Sequence, residues 1–167
     1  GLRFIVRAMK DADFEAACLT VRLGAIAANH KTLQRLAGPA SVAAVVKADA
    51  YGLGAAVIAP MLAGAQCDTF FVARLEEGIA LRQLVPAARI FVLDGAPPDS
   101  VPALIAHRLT PVLNSLSEIA GWDAAAHQMR QILDAAVHID TGMNRLGLPG
   151  YELASLAAEA RKRLASI

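Results

Sequence analysis

Two cysteines, Cys18 and Cys67, are all that a chain of 167 residues carries, too few and too unpatterned for a disulfide framework or a thiolate zinc site. No set of His, Cys, Asp and Glu shows metal-ligand spacing. Charge excess is missing as well. Lys and Arg number 16 against 15 Asp and Glu, a net charge of +1, and no basic run reaches the density that nucleic-acid binding requires. The longest apolar run, 55–65, is eleven residues with Pro60 inside it, against the roughly 20 that cross a bilayer. The opening GLRFIVRAMKDADFE has neither an apolar signal core nor a clear cleavage site, so a soluble cytoplasmic protein is expected. Neither GxGxxG nor GxxxxGK follows any expected strand, which counts against a nucleotide-binding open sheet.

What the chain does have is apolar mass, 56% of its residues, arranged in a beat. Leu23, Ile26, Ala27, His30, Leu33 and Leu36 follow helical spacing, and Gly38-Pro39 closes the segment. An apolar strand is expected over 42–48, then a helix over 55–64 with Pro60 as a kink or boundary. Strands over 69–73, 89–93, 109–113 and 135–140 alternate with helices over 75–84, up to His107, 117–129 and 151–164. Pro111 sits inside one of these strands, a position favoured at sheet edges. Strands apolar on both faces, repeating every 20–25 residues or so, mean a parallel sheet covered by helices. Five such strands fit an open doubly wound sheet or part of an eight-stranded barrel. Polar residues placed directly after strands, Lys47 after AAVV and Arg145 beyond VHID, favour the barrel. The β-like run 16–22 lies outside the beat, so residues 1–22 are expected to form a separate N-terminal segment and 23–167 a partial α/β barrel.

Lys47 poses the functional question. A strand-end lysine ordinarily keeps its head in solvent. Here four apolar residues precede it, a setting that desolvates the ammonium and favours a nucleophilic neutral amine. Tyr51 brings a hydroxyl to the same mouth, and Gly52 and Gly54 allow close backbone approach or positive φ. An amine, a hydroxyl and a permissive loop suit a Schiff base to a phosphorylated aldehyde. His30, His107 and His127 fall on helical patterns as surface or capping groups, Trp122 reads as a packing residue, and Asp140 suits an Asx-turn.

VVKADAYGLG resembles the pyridoxal-phosphate attachment signature of alanine racemases, and HIDTGMNRLGL resembles that family's second signature, about a hundred residues further on. LTVRLGAIAAN is similar to the family's entry into its first helix. The resemblance spans most of 16–150 and implies a fold-type III enzyme: an eight-stranded α/β barrel carrying pyridoxal 5'-phosphate, followed by a β domain, in a homodimer. It makes Lys47 the Schiff-base lysine and the proton base on one substrate face. It makes Tyr51 a phosphate partner and Arg145 the contact of the cofactor's phenolic oxygen and the substrate carboxylate, with Met143 offering a backbone amide nearby. A guanidinium fork suits a carboxylate better than an ammonium does.

His138 stands where many members carry a lysine, carbamylated in some, that braces the arginine. A neutral imidazole can accept a hydrogen bond there but brings no negative charge. Asp49 and Leu53 replace the Asn and His often seen in the first signature, and Arg22 takes a usually acidic position. In the family the opposite substrate face belongs to a tyrosine of the partner's C-terminal domain. The chain is therefore expected to be the N-terminal portion of an alanine racemase, inactive alone. A racemase of serine or lysine, or a non-catalytic pyridoxal-phosphate barrel, remain the alternatives, with a hydride-transfer enzyme a distant third.

Overall fold

The computed structural model describes residues 3–6 and 19–167. Two antiparallel strands, β1 (Arg3–Val6) and β2 (Leu19–Arg22), pair from Arg3 against Arg22 to Val6 against Leu19. They form a sheet of their own, as the break in the sequence beat at 16–22 anticipates for β2; residues 16–18 lie outside the described residues. The chain then enters α1 (Leu23–Ala37), which Gly38 ends at φ 63.

Beyond α1 stands a five-stranded parallel sheet in the order β3 (Ala44–Val45), β4 (Thr69–Val72), β5 (Arg89–Val92), β6 (Thr110–Leu113) and β7 (Ala136–Val137). Every strand lies beside its successor in sequence. An open doubly wound sheet reverses its order at a switch point; this one does not, so the strands are successive staves of a barrel wall. The helices α3 (Ala55–Gly64), α4 (Leu75–Leu84), α5 (Val101–Ala106), α6 (Leu116–Met129) and α7 (Gly150–Arg163) follow their strands in turn. The α3 helix runs through Pro60 without ending there, and Pro111 sits inside β6.

The core fills the space between sheet and helices. Phe70, Val72, Ile90, Val92 and Leu113 point into it from the strands. Ile58, Leu62, Leu81, Leu104, Ile119, Trp122 and Leu156 meet them from α3 to α7. Alternate strand residues face the other way, where Phe71 and Phe91 stack with centroids 4.7 Å apart and Val45 stays 45% exposed. Trp122 is a packing residue as its surroundings suggest, its indole N–H reaching Leu133 O. His30 is a correction. It is buried rather than on the surface, its Nε2 bonded to Val42 O at 3.0 Å, and it ties α1 to the approach of β3. Cys67 is buried and free, and burial pushes its thiol up from the ordinary value. Among the described residues no helix is long and apolar enough to cross a membrane, and no His/Cys/Asp/Glu group could hold a metal.

The two edge strands are shorter than their apolar runs. Only Ala44 and Val45 pair with Phe70 and Phe71, and only Ala136 and Val137 pair with Val112 and Leu113. Both runs leave the ladder early because the chain turns into the loops that carry the candidate site.

Candidate active site

Lys47 stands one residue beyond the end of β3, after Val46, and opens α2 (Lys47–Tyr51), a single turn of unusual hand. Ala48, Asp49 and Ala50 have φ near 52 and ψ near 49, and Tyr51 has φ 57. All four lie in the left-handed region, where non-glycine residues normally occur one at a time. The turn is closed by Ala50 N–H to Val46 O at 2.9 Å and Gly52 N–H to Ala48 O at 2.8 Å. Asp49, one of the departures in the first motif, accepts Ala55 N–H at 2.7 Å and so caps the start of α3. Lys47 is half-buried and Tyr51 is 63% exposed. Both leave the same turn at the C-terminal rim of the sheet.

The other half of the candidate site lies past β7. The backbone of His138 is pinned on both sides, its N–H to Leu113 O at 2.9 Å and its carbonyl accepting Leu148 N–H at 2.8 Å. Residues 141–147 thus form a loop closed at its base. Asp140 organises that loop by accepting Gly142 N–H at 2.9 Å and Asn144 N–H at 3.0 Å. Those amides, Gly142 foremost, hold the exposed carboxyl below the ordinary Asp value. Met143 is exposed on the same loop. Gly147 closes the loop at φ +100, against the His138 ring and the Asp140 amide; a Cβ there would stand 2.8 Å from Asp140 N. Arg145 is exposed on the loop.

His138 is half-buried, and its Nδ1 lies 2.9 Å from Asn114 Oδ1. The amide of Asn114 donates through Nδ2 to Leu93 O at 3.0 Å and Val112 O at 2.9 Å. That fixes its oxygen toward the imidazole, so Nδ1 carries the proton and Nε2 of the neutral ring is an acceptor. Asn114 was not legible as a functional residue, because nothing local distinguishes it from an ordinary strand-end asparagine.

Three glutamates hold the rim. Glu77 on α4 accepts Ala73 N–H at 2.8 Å and Arg74 N–H at 3.1 Å, and reaches Ala48 N–H at 2.6 Å. Glu118 on α6 accepts Asn114 N–H at 2.8 Å, with Ser115 Oγ accepting Glu118 N–H in return. Glu152 on α7 accepts Leu116 N–H at 3.0 Å. Each sits at the third helical position, where a glutamate satisfies amides that the helix start leaves unpaired. The run S-L-S-E at 115–118 carries that signature; Glu77, after Arg74, shows only as acid near a helix start.

All five sequence-derived residues therefore lie beyond C-terminal strand ends, Lys47 and Tyr51 on one edge and His138, Met143 and Arg145 on the other. No hydrogen bond or ion pair joins the two groups among the described residues. The ion pairs found there are His127–Asp123 and Arg163–Glu159, so the cations of Lys47 and Arg145 stand without carboxylate partners at the rim. A primary amine, a phenol hydroxyl and an unpaired guanidinium make a donor set that suits a carbonyl compound bearing anionic groups.

The family model "Alanine racemase, N-terminal domain" matches residues 21–166. The chain is 51% identical over 142 residues to an alanine racemase of Methylobacterium nodulans, covering 85% of this chain and 38% of that protein. It is likewise 51% identical to a catabolic alanine racemase of Agrobacterium fabrum, covering 84% and 37%. Among solved structures, alanine racemase from Bartonella henselae with covalently bound pyridoxal phosphate superposes at a TM-score of 0.80 and 39% identity, covering 83% of this chain and 41% of that one. The chain thus spans about two fifths of the length of the relatives it matches. With five staves of the same barrel in the same order, it belongs to the alanine racemase N-terminal domain family.

Proposed function

We propose that this chain supplies the cofactor-bearing half of a pyridoxal-phosphate-dependent alanine racemase, interconverting L- and D-alanine. The observation that carries the reading is Lys47, half-buried and unpaired, at the C-terminal end of a barrel strand on a turn that also presents Tyr51. When bound, pyridoxal phosphate provides the electron sink that acidifies the substrate Cα proton. Lys47 Nζ would hold the cofactor covalently, and as a free amine beside bound substrate it would take the proton from Cα, or return it, on one face. The Tyr51 hydroxyl donates to the cofactor phosphate. Arg145 meets the substrate carboxylate and the phenolic oxygen with its planar fork. The Met143 backbone amide, on the same loop, is the second contact we assign to the substrate carboxylate. His138, its Nδ1 proton committed to Asn114, offers Nε2 as the acceptor that braces Arg145.

Residues 23–167 form the barrel portion of this enzyme, and 1–22 an N-terminal segment that joins a β domain. We assign the opposite face of Cα to a tyrosine of a partner's C-terminal domain, in a cytoplasmic homodimer that takes part in D-alanine supply for the cell wall. The test is direct. The full-length protein is incubated with pyridoxal phosphate, reduced with borohydride and mapped by peptide mass, and its racemisation of alanine, serine and lysine is assayed. A pyridoxyl group on Lys47, alanine as the preferred substrate, and loss of both in Lys47→Ala are expected. Label elsewhere, or racemisation surviving in Lys47→Ala, overturns the assignment.

A further inference from the structure

The turn that carries Lys47 has the least favourable backbone in the described chain. Four successive residues from Ala48 to Tyr51 have φ between 51 and 57, a region that costs an L-residue about 1–2 kcal/mol. A run of this kind persists only where its surroundings over-determine it. The bonds inside the turn do not choose its hand, since a right-handed turn closes the same amides on carbonyls four residues back. The selection comes from outside.

Glu77 holds the entry to the turn. The first amide after the lysine, Ala48 N–H, donates to Glu77 Oε1 across 29 residues of sequence at 2.6 Å. The other carboxylate oxygen is held by Ala73 N–H and Arg74 N–H, so the glutamate is anchored to the junction of β4 and α4 while it grips the turn. That bond fixes the peptide plane between Lys47 and Ala48, and with it the backbone orientation of Lys47 where the chain enters the turn. At the far end of the turn Asp49 bonds Ala55 N–H, which fixes the exit. Glu118 provides a contrast at the same helical position, with Asn114 N–H of its own β/α unit as its partner.

We propose that Glu77 is a positioning residue for Lys47: by holding the Ala48 amide against the β4–α4 junction it fixes the Lys47–Ala48 peptide plane at the entry to the left-handed turn, and so sets the direction in which the lysine amine leaves the rim. The inference rests on Lys47 being the cofactor lysine. It predicts that the carboxylate matters through both of its oxygens, because one anchors and the other grips. Glutamine has one acceptor oxygen and cannot do both; aspartate keeps the charge and lacks the reach.

The experiment uses the full-length protein with Glu77→Gln, Glu77→Asp and Glu118→Gln. Four quantities are read: pyridoxal phosphate affinity, the rate of borohydride-trapped labelling at Lys47, hydrogen exchange of the peptide spanning 47–52, and the urea midpoint. Both Glu77 variants are expected to lose exchange protection over 47–52 and to bind pyridoxal phosphate about tenfold more weakly, the effect of one unsatisfied amide, with labelling slowed in proportion. Glu118→Gln, at a similar urea midpoint, keeps affinity and labelling. Wild-type affinity and protection in the Glu77 variants overturn the proposal, as does an equal loss in Glu118→Gln. If Glu77→Gln does not fold, Glu77→Asp carries the same comparison. Should the unsubstituted protein fail to label at Lys47, the cofactor reading falls, while the exchange data still decide whether Glu77 holds the turn.

Discussion

At the C-terminal rim of the sheet, the carboxylates of Glu77, Glu118, Glu152 and Asp140 accept from backbone N–H groups. At the N-terminal rim the polarity is reversed. The guanidinium of Arg82, buried to 8% exposure, donates to five carbonyls: His107 O at 3.0 Å, Arg108 O at 2.6 Å, Ala88 O at 2.6 Å, Pro86 O at 3.1 Å and Val85 O at 3.5 Å. Burial, with Arg108 alongside, lowers its pKa from the ordinary value. The difference follows from chain direction. Parallel strands deliver helix starts, with their unpaired N–H groups, to one rim and helix ends, with unpaired carbonyls, to the other. Acids therefore build the upper rim and a cation the lower. Spending acids on the upper scaffold leaves Lys47 and Arg145 unpaired there, where an anionic ligand is expected to dock.

The sharpest way to break this contrast is at the lower rim. Arg82→Met should remove about 3 kcal/mol of stability, since several buried carbonyls lose a charged donor, while the folded fraction still labels at Lys47. Urea unfolding alongside borohydride mapping reads both. A variant as stable as the parent would show that the knot is ornamental, and lost labelling in the folded fraction would erase the division of labour between the rims.

The next effect belongs to the upper rim. Gly147→Ala forces a Cβ to within 2.8 Å of Asp140 N at φ +100, a strain of about 1–3 kcal/mol concentrated on the Arg145 loop. The expected signature is a raised KM for alanine with a smaller loss of cofactor affinity, since Arg145 is assigned to both. A change in cofactor affinity alone would mean that the loop serves the cofactor and not the substrate.

Tyr51→Phe comes third. The hydroxyl is exposed, so stability should not move, and the affinity for pyridoxal phosphate should fall about fivefold, in line with one hydrogen bond to a charged group. Unchanged affinity would remove Tyr51 from the site.

The smallest effect is a pH response. Amide bonds hold the Asp140 carboxyl below its ordinary value of 3.8, so the order it lends residues 141–147 is complete above that pH and fades as pH drops through the lower, folded-state value. The amide resonances of Gly142 and Asn144 should shift together in that acid range, and Asp140→Asn should abolish the shift. A midpoint above 3.8 would reverse the sign and refute the amide cradle.

Local pattern exposed much of this molecule. Residues 75–84 were readable as a helix to the residue, because apolar spacing and an acidic first turn are properties of one segment. Lys47 and Arg145 were readable because each stands just past an apolar run, with the family signatures around them. The ends of the edge runs were not: 42–48 and 135–140 look like full strands, yet each pairs over two residues, since a strand stops where its neighbour's register and the next loop stop it. His30 misled for the same reason. Its helical position resembles a surface site until the approach to β3 covers it.

The amino-acid sequence by itself determined the alternation of strand and helix and the order of the chemical groups along the rim, because periodicity and the place of a polar group after an apolar run are set within some twenty residues. Only the tertiary structure decided how those groups are held. The grip of Glu77 on Ala48, the Asn114 amide that fixes the His138 proton and the five carbonyls gathered by Arg82 join segments from different β/α units, and the turn after Lys47 goes against the local right-handed preference of its residues. Such contacts depend on the register between neighbouring staves, and register is a property of the packed sheet.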